Sequence, residues 1–182
     1  VIDPALDDPG YLATIIQAGE ERGGLRRILI THGHSDHTGG AEALRARLNI
    51  PIYAFSRAGF PLADEEVPDG TTFSQGDDTL RAIHTPGHRF DHLCFLLENQ
   101  RTIFVGDLIA GMGTIVIVPP EGDMLDYLAS LHRLQTLDLV RIVPAHGPTI
   151  TDPQAKLTEY IEHRLQREQQ ILAILQVNPR GI

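Results

Sequence analysis

The segment His32-Gly33-His34-Ser35-Asp36-His37 constrains this chain more than any other. Four side chains able to bind a metal fall within six residues, directly after Ile28-Leu29-Ile30-Thr31, a β-branched run suited to a buried strand. A lone His is most often packed or solvated, but this density of imidazole and carboxylate points to metal binding. In an extended segment alternate side chains share a face. His32, His34 and Asp36 are therefore expected to converge and His37 to point elsewhere, so that one loop feeds two neighbouring metals. Gly33 is expected to relieve crowding between the imidazoles.

Three further candidates follow short apolar segments. His88 comes after Thr85-Pro86-Gly87, Asp107 after Ile103-Phe104-Val105-Gly106, and His146 after Ile142-Val143-Pro144-Ala145. Strand ends offer rigid, exposed positions for ligands, and the adjacent Gly or Pro shapes each turn. With the first cluster they supply five His and two Asp. The other four His match none of these patterns. His84 reads as a packed strand residue and His132 as a helix-surface residue, while Asp91-His92 is a candidate for lining the site.

The motifs His32-x-His34-x-Asp36-His37, Thr85-Pro86-Gly87-His88, Gly106-Asp107 and Ala145-His146-Gly147-Pro148 together resemble the metallo-beta-lactamase superfamily. The similarity is to its beta-lactamase-like branch of endoribonucleases and acyl-thioester hydrolases, and to its hydroxyacylglutathione hydrolase-like branch. The opening Val1-Ile2-Asp3-Pro4 is similar to the early strand and turn of that family, with Ala5 in place of the usual Gly. The resemblance implies a four-layered αββα sandwich of the α/β class, here lacking its first strands at the N-terminus. It implies that His32, His34 and His88 hold one metal, that Asp36, His37 and His146 hold a second, and that Asp107 bridges the two. Asp at position 107, rather than Cys, resembles the hydrolase branches with a bridging carboxylate.

The expected cofactors are two divalent ions. Imidazole with carboxylate suits Zn2+, and also Fe or Mn. Such a pair can share a water and bring its pKa toward neutrality, so the chain needs no Ser or Cys nucleophile. The expected function is a binuclear metal-dependent hydrolase in which a metal-bridging hydroxide attacks a carbonyl ester, thioester or lactone. Asp36 is the expected catalytic proton acceptor or relay, and Asp3 a candidate for orienting a ligand His. The alternative is endoribonuclease cleavage of RNA, with Arg164 and Arg167 guiding an anionic substrate. A beta-lactamase and a non-catalytic metal-binding module rank lower.

Composition agrees with this reading. The chain has 182 residues, 42% of them hydrophobic, which predicts one globular domain over residues 1–182, cut short at both ends. A net charge of −9 argues against binding driven by a globally basic surface. The single Cys94 excludes an internal disulfide framework, suits a reducing, cytoplasmic setting, and reads as a buried small hydrophobe. No apolar run approaches the length of a membrane span.

Periodicity and capping residues predict the remaining elements. Asp8-Pro9 starts a helix carrying Tyr11, Leu12, Ile15 and Ile16, which Gly23-Gly24 ends. A helix is expected over 41–48 and strands over 51–55, 79–84, 93–97, 102–105 and 140–143. Residues 98–101 read as the turn of a hairpin, and residues 56–78 as a loop with one strand near 71–73. Asp123 caps a helix carrying Leu125, Leu128, Leu131 and Leu134. Asp152-Pro153 opens a long helix whose face includes Leu157, Ile161, Leu165, Leu172 and Leu175.

Overall fold

Alternation along the strands sends neighbouring side chains into different layers, and this builds the molecule. The computed structural model describes residues 1–177. A three-stranded sheet is formed by β1 (Ile28–Leu29), β2 (Ile52–Ala54) and β3 (Glu65–Glu66), all parallel. Ile2 bridges to Leu29 on the outer side of β1. A five-stranded sheet follows in the order β4 (Thr72–Gln75), β5 (Asp78–His84), β6 (Leu93–Leu97), β7 (Thr102–Phe104) and β8 (Arg141–Val143). It is antiparallel except for β7 and β8. A 3-10 turn over Glu98–Gln100 closes the expected β6–β7 hairpin.

Three apolar interfaces define four layers. Ile28, Ile30 and Ile52 pack with Leu12 of α1 (Pro9–Glu20) and with Ala41 and Leu44 of α3 (Ala41–Leu48), the short α2 (Ser35–Thr38) lying between these helices in the chain. Leu29, Ala82, Leu93 and Phe95 fill the space between the two sheets. Ile83, Cys94, Leu96 and Ile103 meet α4 (Met124–Gln135) and α5 (Pro153–Val177) through Leu131, Leu134, Leu157 and Ile161. Successive residues of β1 and of β6 thus serve opposite faces, as a sheet buried on both sides requires. Full burial of a side chain such as Ile103 or Leu134 contributes about 1.5–3 kcal/mol. The result is the expected αββα sandwich.

Caps set the helices. The Asp8 carboxylate accepts the Tyr11 N–H at 2.8 Å, and the Asp123 carboxylate accepts the Leu125 N–H at 2.8 Å. Two expected apolar faces are corrected. Leu125 is exposed, because the buried stripe of α4 is Tyr127, Leu131 and Leu134, and a 3.6-residue period puts Leu125 on the opposite side. In α5 only the first half packs, through Leu157, Tyr160 and Ile161, while Leu165, Leu172 and Leu175 are exposed.

Topology then gathers the chemistry. β5 and β7 both run antiparallel to β6, and β8 runs parallel to β7, so all three end at one edge of the sheet. β6 begins there, and its Leu93 N–H donates to the Thr31 carbonyl at 2.7 Å, tying the end of the β1 segment to the same edge. The four ligand-bearing segments are what follow β1, β5, β7 and β8.

Candidate metal centre

The structure brings all seven predicted residues together at this edge. Three sets converge, each with its ligand atoms within 4.8 Å of one another: His32, His34 and His88; His32, His37 and Asp107; and Asp36, His37 and His146. His34 Nδ1 lies 3.0 Å from His32 Nε2 and 3.2 Å from His88 Nε2. His146 Nε2 lies 3.4 Å from Asp36 Oδ2 and 3.4 Å from Asp107 Oδ1. Asp107 faces both sides, with Oδ1 3.4 Å from His37 Nε2 and Oδ2 3.8 Å from His88 Nε2.

Local backbone explains the partition. A fully extended path would place Asp36 beside His32 and His34. Instead His34 caps α2, and the chain turns away after it. Helical geometry swings Asp36 together with His37 toward His146, so Asp36 sides with His37 and not with His32 and His34. Gly33 is required for a different reason from crowding of the imidazoles. A Cβ there would fall 2.2 Å from the Gly59 carbonyl oxygen, so the backbone itself leaves no room.

The rings are aimed by their second nitrogens. His37 Nδ1 donates to Asp3 Oδ2 at 2.8 Å. Asp3 also accepts the Thr31 N–H at 2.8 Å and the Thr31 hydroxyl at 2.7 Å. His88 Nδ1 donates to the Val116 carbonyl at 2.9 Å, which leaves Nε2 with its lone pair facing the cluster. A His whose far N–H is held by carboxylate or carbonyl is the usual arrangement for a metal ligand. Replacing Asp3 with Ala is expected to weaken metal binding roughly 10–100-fold; competition with a chelator measures it, and unchanged affinity refutes the role.

Charge is concentrated here. Burial, aided by the surrounding imidazoles, holds His32 well below the usual His range, and burial likewise lowers His88. Burial also pulls His37 down, but the nearby Asp107 carboxylate and the hydrogen bond to Asp3 outweigh it and push His37 up to about 10. The same partnership lowers Asp107 despite its burial. His37 Nε2 and Asp107 Oδ1 are nevertheless buried without a hydrogen-bond partner. An acceptor oxygen and a ring nitrogen left facing each other in this way fit a shared cation.

Neighbouring residues complete the site. Asp91 is buried and accepts the Gly33 N–H at 3.0 Å and Arg89 Nε–H at 2.8 Å. Arg89 reaches Glu121 at 2.9 Å, whose carboxylate lies 3.6 Å from His34 Nε2. Arg89 and Glu121 match no motif in the sequence; a charged residue directly after a ligand His is the available clue. His92 is fully buried beneath the ligands, and burial drives it down to about 3. His84 stacks on Phe55, and His132 is exposed on α4. Cys94 is buried, and burial pushes its thiol up to about 12. Arg164 is already engaged, bonding Thr114 Oγ1 at 2.9 Å and the Ile115 carbonyl, and Arg167 bonds Gln170 on the exposed face of α5.

Helices on both outer faces of paired sheets, with imidazoles and carboxylates gathered at the strand ends, define a metal-binding αββα protein. The chain belongs to the metallo-beta-lactamase superfamily, whose sequence profile matches residues 1–146. It is 36% identical over 180 residues to the lactamase-like protein adaB of Aspergillus niger, covering 97% of this chain and 55% of that protein. It is 39% identical over 147 residues to an atrochrysone carboxyl ACP thioesterase of Aspergillus chevalieri, covering 81% of this chain and 46% of that one. The chain thus spans about half the length of these curated relatives. A metallo-beta-lactamase family protein of Thermus thermophilus shares the fold, with a TM-score of 0.79 at 21% identity over 95% of this chain and 73% of that one. The superfamily is hydrolytic and binds metal ions. Among the described residues no helix is long and apolar enough to cross a membrane.

Proposed function

We propose that this chain carries the centre of a binuclear metal-dependent hydrolase acting on acyl thioesters. His32, His34 and His88 hold one ion, Asp36, His37 and His146 hold the other, and Asp107 spans both. The observation that carries this reading is the buried, partnerless pair His37 Nε2 and Asp107 Oδ1, 3.4 Å apart, with the second Asp107 oxygen turned toward His88. Divalent ions bound there supply a nucleophile at neutral pH and polarise a carbonyl oxygen. Zinc, iron and manganese all suit the donor set. Asp36 is the exposed carboxylate of the set, and an Oδ atom open to solvent can take the proton of the attacking water.

The acyl substrate is supported by the loop beside the site. Residues 111–118 run from His146, whose carbonyl accepts the Gly111 N–H at 2.8 Å, to His88, which bonds Val116. Met112, Val116 and Val118 are exposed along it. Arg164 holds the underside of this loop and Arg89 is paired with Asp91 and Glu121, so both arginines already have partners. An apolar loop beside a carboxylate-rich site suits an acyl group better than a phosphodiester chain. The name of the thioesterase relative agrees with this reading.

Three measurements test it. Protein purified without added metal is expected to hold two ions per chain by elemental analysis, and fewer than two overturns the binuclear centre. In a panel of acyl thioesters, lactones, β-lactams and short RNAs, the highest kcat/KM is expected on a thioester, and preferential RNA turnover overturns the substrate. His34→Ala should lose metal and turnover together.

A further inference from the structure

We propose that His92, outside the seven-residue ligand set, is a positioning residue that aims the Asp107 carboxylate by holding its peptide plane, as a ring protonated on Nδ1. The inference rests on the reading of Asp107 as the group between two ions.

The direction of each hydrogen bond follows from what each atom can do. Asp107 N–H, which can only donate, lies 3.2 Å from His92 Nε2. That nitrogen therefore presents its lone pair, and the ring proton sits on Nδ1. Nδ1 lies 2.9 Å from Thr85 Oγ1, which accepts. Thr85 Oγ1 also lies 3.3 Å from Cys94 Sγ, a contact in which either atom can donate. The row is buried throughout, with Thr85, His92 and Cys94 all at 0% exposure. It runs from the end of β5 and the start of the central strand β6 to the ligand loop.

The same peptide unit is gripped at its other end. The Gly106 carbonyl accepts the Ala145 N–H at 3.2 Å, one residue before His146. Gly106 has φ +45, and a Cβ on it would fall 2.9 Å from His92 Nε2 and 2.7 Å from Thr31 Oγ1. The backbone leading into Asp107 thus lies against both the His92 ring and Thr31, with no room for a side chain at position 106. The His92 ring also lies under the first ligand set, with its centroid 5.3 Å from that of His32. A tilt of the 106–107 peptide would swing the Asp107 oxygens away from His37 and His88 together.

Two variants separate aim from bulk. His92→Phe fills the space and removes the acceptor, whereas His92→Gln restores an acceptor oxygen at the reach of Nε2. His92→Phe is expected to weaken binding of the second ion roughly 10–100-fold. It should also shift the visible absorption of the cobalt-substituted protein and lower kcat more than it raises KM. His92→Gln should recover most of each property. Phe and Gln variants that bind both ions like wild type, or that lose binding equally, overturn the role. If the Phe variant does not fold, Thr85→Val removes the Nδ1 acceptor instead, and an unchanged cobalt spectrum there overturns the proposal. The two readings fail separately: wild-type protein holding fewer than two ions overturns the binuclear centre, whereas two ions in wild type with no effect at position 92 overturn only this one.

Discussion

Asp107→Asn is expected to lower turnover of an acyl thioester by roughly 10³-fold while leaving the fold intact. Both oxygens of Asp107 are committed. Oδ1 lies 3.4 Å from the ring nitrogens of His37 and His146, and Oδ2 lies 3.8 Å from His88 Nε2. Asn has the same shape but one oxygen and one NH2 group, which only donates. One side of the centre would then meet a donor where a cation needs an acceptor, and the remaining oxygen would carry no full charge. Losing one ion's share of charge stabilisation removes several kcal/mol from the transition state, and about 4 kcal/mol corresponds to roughly 10³-fold. Elemental analysis should find at most one tightly held ion. A variant with two bound ions and turnover within about tenfold of wild type would refute the bridging role.

The site is more legible in the sequence than the path of the chain through it. His88, Asp107 and His146 can be picked out because each follows an apolar segment, and the sheet brings the ends of β5, β7 and β8 to one edge. The convergence of Asp36 is misread because a period of two assumes an extended backbone, and Ser35 begins a helical turn. β3 hides inside an expected loop, since Glu65-Glu66 has little intrinsic strand preference and pairs only along the edge of β2. Leu172 and Leu175 share a helical face with Leu157, yet periodicity records only that a face is apolar, not how far its partner extends. His92 carries no ligand spacing at all. Its role depends on the Asp107 backbone lying against its ring, a contact between residues far apart in sequence.

Stripped of metal by a chelator, the protein is expected to be most stable close to neutral pH and to lose stability steeply on the acid side. His32 and His92 are buried and held below the ordinary His range, His92 down to about 3. Their unfolded counterparts take up protons near pH 6.5, so below that pH the unfolded chain binds more protons than the folded one. Stability is then present above about pH 6.5 and falls at about 1.4 kcal/mol per pH unit for each such group, or about 2.7 for the two. His37 acts in the opposite sense. Raised to about 10 by Asp107 and Asp3, it contributes stability that is complete below about pH 6.5 and is lost as the pH climbs through about 10. One group on the alkaline side against two on the acid side makes the profile asymmetric. A bound cation alters both limbs, because His37 must be neutral to coordinate and protonating His32 must first displace the ion. Denaturant unfolding of the chelated protein at pH 5, 7 and 9, beside the metal-loaded protein, measures this. The chelated protein should lose most between pH 7 and 5 and less between 7 and 9, and metal should add its largest increment above neutrality. A chelated protein equally stable at pH 5 and 7 would show that these imidazoles are not held neutral in the folded chain.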